Sequence, residues 1–229
     1  MLGAPWTDSP HSGTQVAASI CFAGTRGSMG DPREDEIRGL ASNGDLRAAA
    51  TKAIRMYGAE LFGFLVSLHN SQADADDVFA AAAERVWQSL GDFRWESSLR
   101  TWMYAICRNE ACRFHERALR HERRRAPQSD ATEIAAQVRT ATLPFLNSAV
   151  RNAYTELRQT LNAEDRAILV LRVDRDLPWD DVARIFRDDE PEATDEALKK
   201  ESARLRKRFE DIKRRLKILA RERGLLDTP

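Results

Sequence analysis

The sequence is poor in aromatic residues, in cysteine and in long apolar runs, and each shortage excludes a class of protein. Phe, Trp and Tyr make up 7% of the 229 residues, while Ala, Leu, Glu and Arg are frequent, which favours helices over sheets. The three cysteines form no Cys-x-x-Cys pair, which is typical of a reducing cytoplasm. No stretch approaches the ~18 apolar residues of a membrane span. We therefore predict an all-α, cytoplasmic protein without membrane contact.

Motifs of catalysis and of metal binding are also missing. The sequence contains no Gly-rich phosphate loop, no nucleophile elbow and no paired carboxylates in a cleft-forming context. A zinc site could be sought near Cys107, Cys112, His115 and His121. On one helix, however, Cys107 lies about 140° from Cys112, and His121 is too far along to close a tetrahedral site. We expect no enzymatic activity, no cofactor and no metal.

The charge is balanced overall but strongly segregated along the chain. Lys plus Arg and Asp plus Glu both number 36. The stretch Lys199–Arg223 nevertheless holds twelve basic residues against four acidic ones, a net of +8, and Arg108–Arg125 holds seven Arg against three Glu. Ten acidic residues lie in Asp174–Glu196. Two separate basic helices predict two contact sites for nucleic acid.

Composition and helical periodicity divide the chain into segments. Residues 1–30 are rich in small and polar residues without periodicity, which indicates disorder or a leader. Apolar residues at helical spacing follow in 31–125 and again in 144–229. The intervening 126–143 carries Pro127 and many small polar residues, typical of a connection between domains. We predict two small helical domains, 31–125 and 144–229, joined by a flexible linker.

Two blocks of sequence resemble the extracytoplasmic-function sigma factors of the sigma-70 family. The first runs from Ala75–Val78 through Arg85–Trp87 and Phe93 to Leu99–Asn109, and the second joins Leu161–Leu171 to Trp179–Ala183. The resemblance implies that the first block is sigma region 2 and the second a region 4 helix-turn-helix. It also implies the partners: core RNA polymerase, promoter DNA and an anti-sigma factor. The chain is then a transcription initiation factor that directs polymerase to promoters.

The resemblance and the helical spacing of the charged residues together predict three sets of contacts. Core polymerase binding is expected at Asp76, Asp77, Glu84, Arg85 and Trp87. Contacts to the minus-ten element are expected at Arg94, Trp95, Ser97, Asn109, Arg113, Arg117 and Arg120. Contacts to the minus-thirty-five element are expected at Lys199, Lys200, Ala203, Arg204, Lys207 and Arg208. The spacing of Arg113, Arg117 and Arg120 puts them on one helix face, where they can follow a phosphate backbone.

Several interpretations remain open at this point. Trp95 either stacks on an unpaired base or folds back onto the core. Two departures from the family pattern, Ala80-Ala81 in place of a Gln-Glu pair and a longer, acidic turn before the last helix, favour a sigma-like scaffold without initiation activity. A dimeric helix-turn-helix regulator that works without polymerase is the other alternative.

Overall fold

The computed structural model describes residues 32–69, 71–119, 129–148, 153–187 and 194–225. Within these ranges the chain forms nine α-helices and no strand, which confirms the all-α prediction for the described residues. The helices are α1 (Pro32–Ser42), α2 (Leu46–His69), α3 (Gln72–Ser89), α4 (Leu99–Leu119), α5 (Asp130–Ser148), α6 (Ala153–Gln159), α7 (Ala163–Leu169), α8 (Trp179–Phe186) and α9 (Asp195–Glu222). The predicted leader, 1–30, lies outside the described residues.

Helix α2 is the centre of the first module, which consists of α1 to α5. It is buried on nearly all sides because α1, α3, α4 and α5 pack around it. Its largest fully buried side chains are Ile54, Leu61, Phe62, Phe64 and Leu65. Ser71 begins the neighbouring α3 by accepting a hydrogen bond from the Asp74 backbone N–H at 3.3 Å. A central apolar helix surrounded by amphipathic ones gives this module its core.

Helix α5 occupies most of the stretch for which the sequence predicted a flexible linker. It begins at Asp130 and runs across the predicted boundary at 143. Ser129 accepts a hydrogen bond from the Thr132 N–H at 3.3 Å, and Ala131, Ile134 and Ala135 are buried. Because these small residues recur at helical spacing, they form an apolar stripe against α2 and α3. The flexible-linker prediction is therefore wrong for residues 130–142, while 126–128 lie outside the described residues.

The second module consists of α6 to α9. Asn162 caps α7 by accepting a hydrogen bond from the Asp165 N–H at 2.8 Å. A π-helical turn at Val170–Asp174 follows, and it leaves Val173 52% exposed. Helices α8 and α9 then pack against each other in the order of a helix-turn-helix.

The two modules contact each other through polar groups as well as packing. Helix α4 lies against α8, and α2 lies against α7. Arg166 donates to the backbone oxygens of Leu68 at 2.8 Å and Ser67 at 3.3 Å, which satisfies carbonyls at the end of α2. The Arg108 guanidinium lies 4.4 Å from the ring centroid of Phe186. The two modules are therefore in direct contact in this structure.

Candidate nucleic-acid and polymerase interface

A pocket opens between α3, the following turn and α4. Its volume is about 290 Å³. The lining combines aromatic, aliphatic, amide and charged side chains: Arg85, Ser89, Asp92, Phe93, Trp102, Ile106, Asn109, Glu110 and Arg113. Trp102 is half-buried and stacks on Phe93 with ring centroids 4.7 Å apart. Aromatic walls with a few hydrogen-bonding groups suit a planar, polar ligand.

Trp95 lies in the loop beside this pocket in an unusual backbone conformation. Its φ is +60°, a region that L-residues other than Asn and Asp rarely enter. The indole is half-buried, 4.9 Å from the Phe93 ring and 5.6 Å from the Arg38 guanidinium. In this structure it therefore folds back onto the core, the second of the two arrangements considered from the sequence. Arg94 is exposed, 3.6 Å from the Glu96 carboxylate, and Ser97 is half-buried.

The start of α4 is fixed by a carboxylate from a distant helix. Glu34 of α1, 7% exposed, accepts hydrogen bonds from the backbone N–H groups of Leu99 at 2.9 Å and Arg100 at 3.0 Å. The Tyr57 hydroxyl donates to the same carboxylate at 2.7 Å. Ser98 accepts from the Thr101 N–H at 3.1 Å. A negative charge at a helix N-terminus also interacts favourably with the positive end of the helix dipole. Sequence reasoning missed Glu34 because it lies 65 residues from Leu99.

The basic face of α4 is partly neutralised within the helix. Glu110, 8% exposed, lies 2.5 Å from the guanidinium of Arg113 and 3.4 Å from that of Arg117. The structure thus brings these two arginines onto one face, as their spacing predicted. Asn109 is half-buried beside them, 3.5 Å from Arg108 through its side-chain oxygen. Arg120 lies outside the described residues.

Helix α3 presents the five residues assigned to polymerase in two groups. Asp77 and Arg85 are exposed, and Trp87 is half-buried against the core. Asp76 and Glu84 instead face α5. Asp76 lies 3.5 Å from Arg139, and burial raises the pKa of its carboxyl above the ordinary value. Glu84 accepts a hydrogen bond from the Ser129 hydroxyl.

Helix α9 separates its predicted DNA contacts into exposed and anchored side chains. Lys199, Lys200, Ala203 and Lys207 are exposed, opposite the buried Leu198, Leu205 and Ile212. Arg204 forms a bidentate ion pair with Glu201, in which its Nε and Nη2 donate to the two carboxylate oxygens at 2.9 and 2.6 Å. This hydrogen bonding lowers the pKa of the glutamate.

Arg208 is turned toward α7 rather than outward. Its Nε lies 2.6 Å from Oδ1 of Asp165, a carboxylate whose side chain is only 5% exposed. Arg215 pairs with the other oxygen of Asp165 at 3.0 Å. Asp165 therefore ties two turns of α9 to the start of α7, a role that the capping pattern around Asn162 did not reveal.

Two histidines meet where α2 ends beside α4. The rings of His69 and His115 stack with centroids 4.9 Å apart. Burial, with a smaller contribution from the neighbouring His115, lowers the pKa of His69 to about 4. Among the described residues, neither ring nitrogen of His69 has a hydrogen-bond partner. Neutral His69 is thus part of the packing between these helices.

The described residues contain no metal-binding cluster and no membrane-spanning helix. No three His, Cys, Asp or Glu side chains within those ranges are arranged to hold a metal ion. None of the helices in the same ranges is both long and apolar enough to cross a bilayer.

Two comparisons with known proteins agree with this arrangement. A family model described as sigma-70 region 2 matches residues 53–125, which contain the α3 face, the pocket and α4. The RNA polymerase sigma-H factor of Pseudomonas aeruginosa is 28% identical over 165 residues, which cover 68% of this chain and 83% of that protein. That alignment is longer than the region 2 match and therefore extends beyond it. The chain is thus similar to sigma-70 region 2 over residues 53–125 and, over a longer stretch, to a sigma factor.

Proposed function

We propose that this protein is a non-catalytic specificity subunit that binds core RNA polymerase in the cytoplasm and directs it to promoters. The observation that carries the proposal is the coincidence of the region 2 match with the module that contains the pocket and the basic face of α4. The chain resembles the extracytoplasmic-function type, and an anti-sigma factor is the regulatory partner that this resemblance implies.

The first module is proposed to hold one strand of the minus-ten element. Aromatic side chains stack on unpaired bases of any sequence, and an amide can read the edge of one base. Phe93 and Trp102 provide the stacking surface and Asn109 the amide. Arg113, which lines the pocket, and Arg94, next to Phe93 in the chain, are the proposed phosphate contacts. Trp95 turns outward when a base is bound, which its half-buried position beside Phe93 permits.

The second module is proposed to read the minus-thirty-five element through α9. The first turns of a recognition helix reach base edges, and later positions meet the backbone. Lys199, Lys200 and Ala203 are accordingly base-reading candidates, with Arg204 and Lys207 on phosphates. Arg208, which the family pattern also assigns to DNA, acts mainly by orienting α9 through Asp165.

The test is transcription from a fragmented genomic library with purified core polymerase, with and without this protein. Discrete new transcripts that share two upstream elements are the expected result. Binding to core polymerase without new transcripts would favour the scaffold alternative. Binding to promoter DNA as a dimer, without polymerase, would favour the autonomous regulator.

Point variants then assign each element. Trp95→Ala is expected to impair promoter melting, measured by permanganate reactivity of the minus-ten strand, while polymerase binding is retained. Lys200→Ala is expected to weaken binding only to promoters with an intact minus-thirty-five element. Lys217→Ala, an exposed residue further along α9, is the matched control.

A further inference from the structure

Helix α5 covers part of the α3 surface that is assigned to polymerase. Arg139 of α5 pairs with Asp76 at 3.5 Å, and Ser129, which begins α5, donates to Glu84. Two of the five proposed polymerase contacts are therefore engaged by the chain itself. Asp77 and Arg85 stay exposed on the same helix, so the surface is partly available and partly covered.

The position of α5 is specific because it depends on one close approach to α2. A Cβ atom on Gly58 would lie 2.7 Å from Cγ1 of Val138 and 3.2 Å from the Phe79 ring, so only glycine leaves room for Val138. Ala131, Ile134 and Ala135 fill the rest of the contact. Helix α5 thus packs at one defined position between α2 and α3.

The same contact is weak enough to be reversed. Within 130–142, the part of α5 whose side chains the structure describes, the buried apolar residues other than Ile134 are alanines, which bury little surface. Its ion pairs lie near the surface, with side chains 37% and 23% exposed for Arg139 and Asp76, and 75% and 54% for Arg47 and Asp130. Exposed pairs of this kind are screened by solvent and contribute little.

We propose that α5 is an internal competitor of core polymerase: it occupies the Asp76 and Glu84 side of α3 in the free chain and leaves when polymerase docks. This inference rests on the proposed sigma function. Displacement has a second consequence, because α5 connects the two modules. Its 19 residues span about 28 Å as a helix and up to about 63 Å when extended. Once the contacts of α8 with α4 and of α7 with α2 also open, the released segment would let the second module reach a distant DNA element.

A substitution that loosens α5 tests the competition. Val138→Asp places a charge against Gly58. It is expected to tighten binding to purified core polymerase by about three- to tenfold, because α5 then covers the α3 surface in a smaller fraction of the free protein. Thr140→Asp is the matched control, since it puts the same charge on an exposed position of the same helix and should leave the affinity unchanged. Circular dichroism and thermal melting verify that both variants are folded.

A reversible cross-link tests the opposite direction. Gly58→Cys combined with Val138→Cys, in a background where Cys21 and Cys112 are serine, should form a disulfide, because the 58 Cβ and the 138 γ position lie 2.7 Å apart. The oxidised protein is expected to bind core polymerase at least tenfold more weakly than the same protein after reduction. The two single-cysteine variants should not respond to the reductant.

The outcomes separate this inference from the function on which it rests. If the wild type binds polymerase and initiates transcription, but neither Val138→Asp nor the cross-link changes the affinity, α5 is not a competitor and the sigma function stands. If the loosened variant gains affinity and the oxidised variant loses it, the competition is established. If no variant, loosened or reduced, binds polymerase, the proposed function itself is overturned.

Discussion

Helices α4 and α9 carry the two sets of proposed DNA contacts, and they are held in place in opposite ways. The first turn of α4 is tied to α1 by the buried carboxylate of Glu34, and the helix is packed by α2, α3 and α8. Helix α9 buries one face only, and its polar anchor is Asp165 of α7. The position of α4 therefore depends on a buried carboxylate at its first turn and on packing from several helices, whereas that of α9 depends on one apolar face and on the partly exposed pairs with Asp165.

This difference suits the two tasks that are proposed for the helices. Holding unpaired bases requires a pocket whose walls are fixed before binding, because each loose side chain would have to be ordered at that moment. Reading double-stranded DNA requires an exposed helix that enters a groove, with its basic side chains on the outer face. Helix α4 is accordingly held by many buried contacts, whereas α9 leaves its basic face exposed to solvent.

The comparison predicts that loss of Glu34 has the largest effect on stability. Glu34→Ala leaves two backbone N–H groups and the Tyr57 hydroxyl without their acceptor in a buried site. We expect the free energy of unfolding to fall by about 3 kcal/mol, measured by urea denaturation. Glu36→Ala on the same helix is the control, because Glu36 is exposed and pairs only at the surface with Lys52. Equal effects of the two changes would show that α4 does not depend on Glu34.

The anchor of α9 is expected to have a smaller effect. Asp165→Asn keeps the shape of the side chain but removes the charge that pairs with Arg208 and Arg215. Both arginines are partly exposed, so the loss should be about 2 kcal/mol, less than for a fully buried pair. Asp211→Asn, at an exposed pair with Arg214, should cost under about 0.5 kcal/mol. A larger loss for Asp165→Asn than for Glu34→Ala would reverse the comparison.

The packing of α4 on α2 is expected to depend on pH through His69. The pKa of His69 is about 4 in the folded chain, below its ordinary value of 6.5, so the unfolded chain takes up a proton first as pH falls. Burial of the neutral His69 ring therefore contributes fully to the free energy of unfolding above pH 6.5. This contribution is lost as the pH falls from 6.5 to about 4. His115, Asp74 and Arg166 face the same ring and modulate this titration.

The measurement is urea denaturation at a series of pH values across that window. His69→Leu should make the free energy of unfolding less dependent on pH, by about 1 kcal/mol after allowance for solvent screening. His115→Leu should flatten the dependence less, since it removes only a neighbouring charge. An unchanged pH dependence in His69→Leu would mean that other groups control it.

The contrast between α4 and α9 also explains what sequence could predict. Leu198, Leu205 and Ile212 recur at helical spacing, a pattern visible in the sequence, and the structure buries all three. Glu34 and Asp165 could not be recognised, because a carboxylate that accepts hydrogen bonds from a distant helix has no periodic signature. The docking of α5 was missed for a related reason: its alanines resemble the composition of a linker, and the sequence does not show that Val138 of this helix lies against Gly58 of α2.

The smallest expected effects distinguish a residue of α9 that contacts DNA from a neighbour that holds α9 against α7. Lys207 is exposed and Arg208 is turned toward Asp165, although they are adjacent in sequence. In the complex of core polymerase, this protein and promoter DNA, Lys207→Ala should weaken binding about two- to fourfold and lower the slope of log affinity against log salt by about 1. Its free energy of unfolding should not change. Arg208→Ala should instead reduce stability by about 1 kcal/mol with little change in the salt slope. If both substitutions lowered the slope equally, Arg208 would have to leave Asp165 for a phosphate, and α9 would be anchored by its apolar face alone.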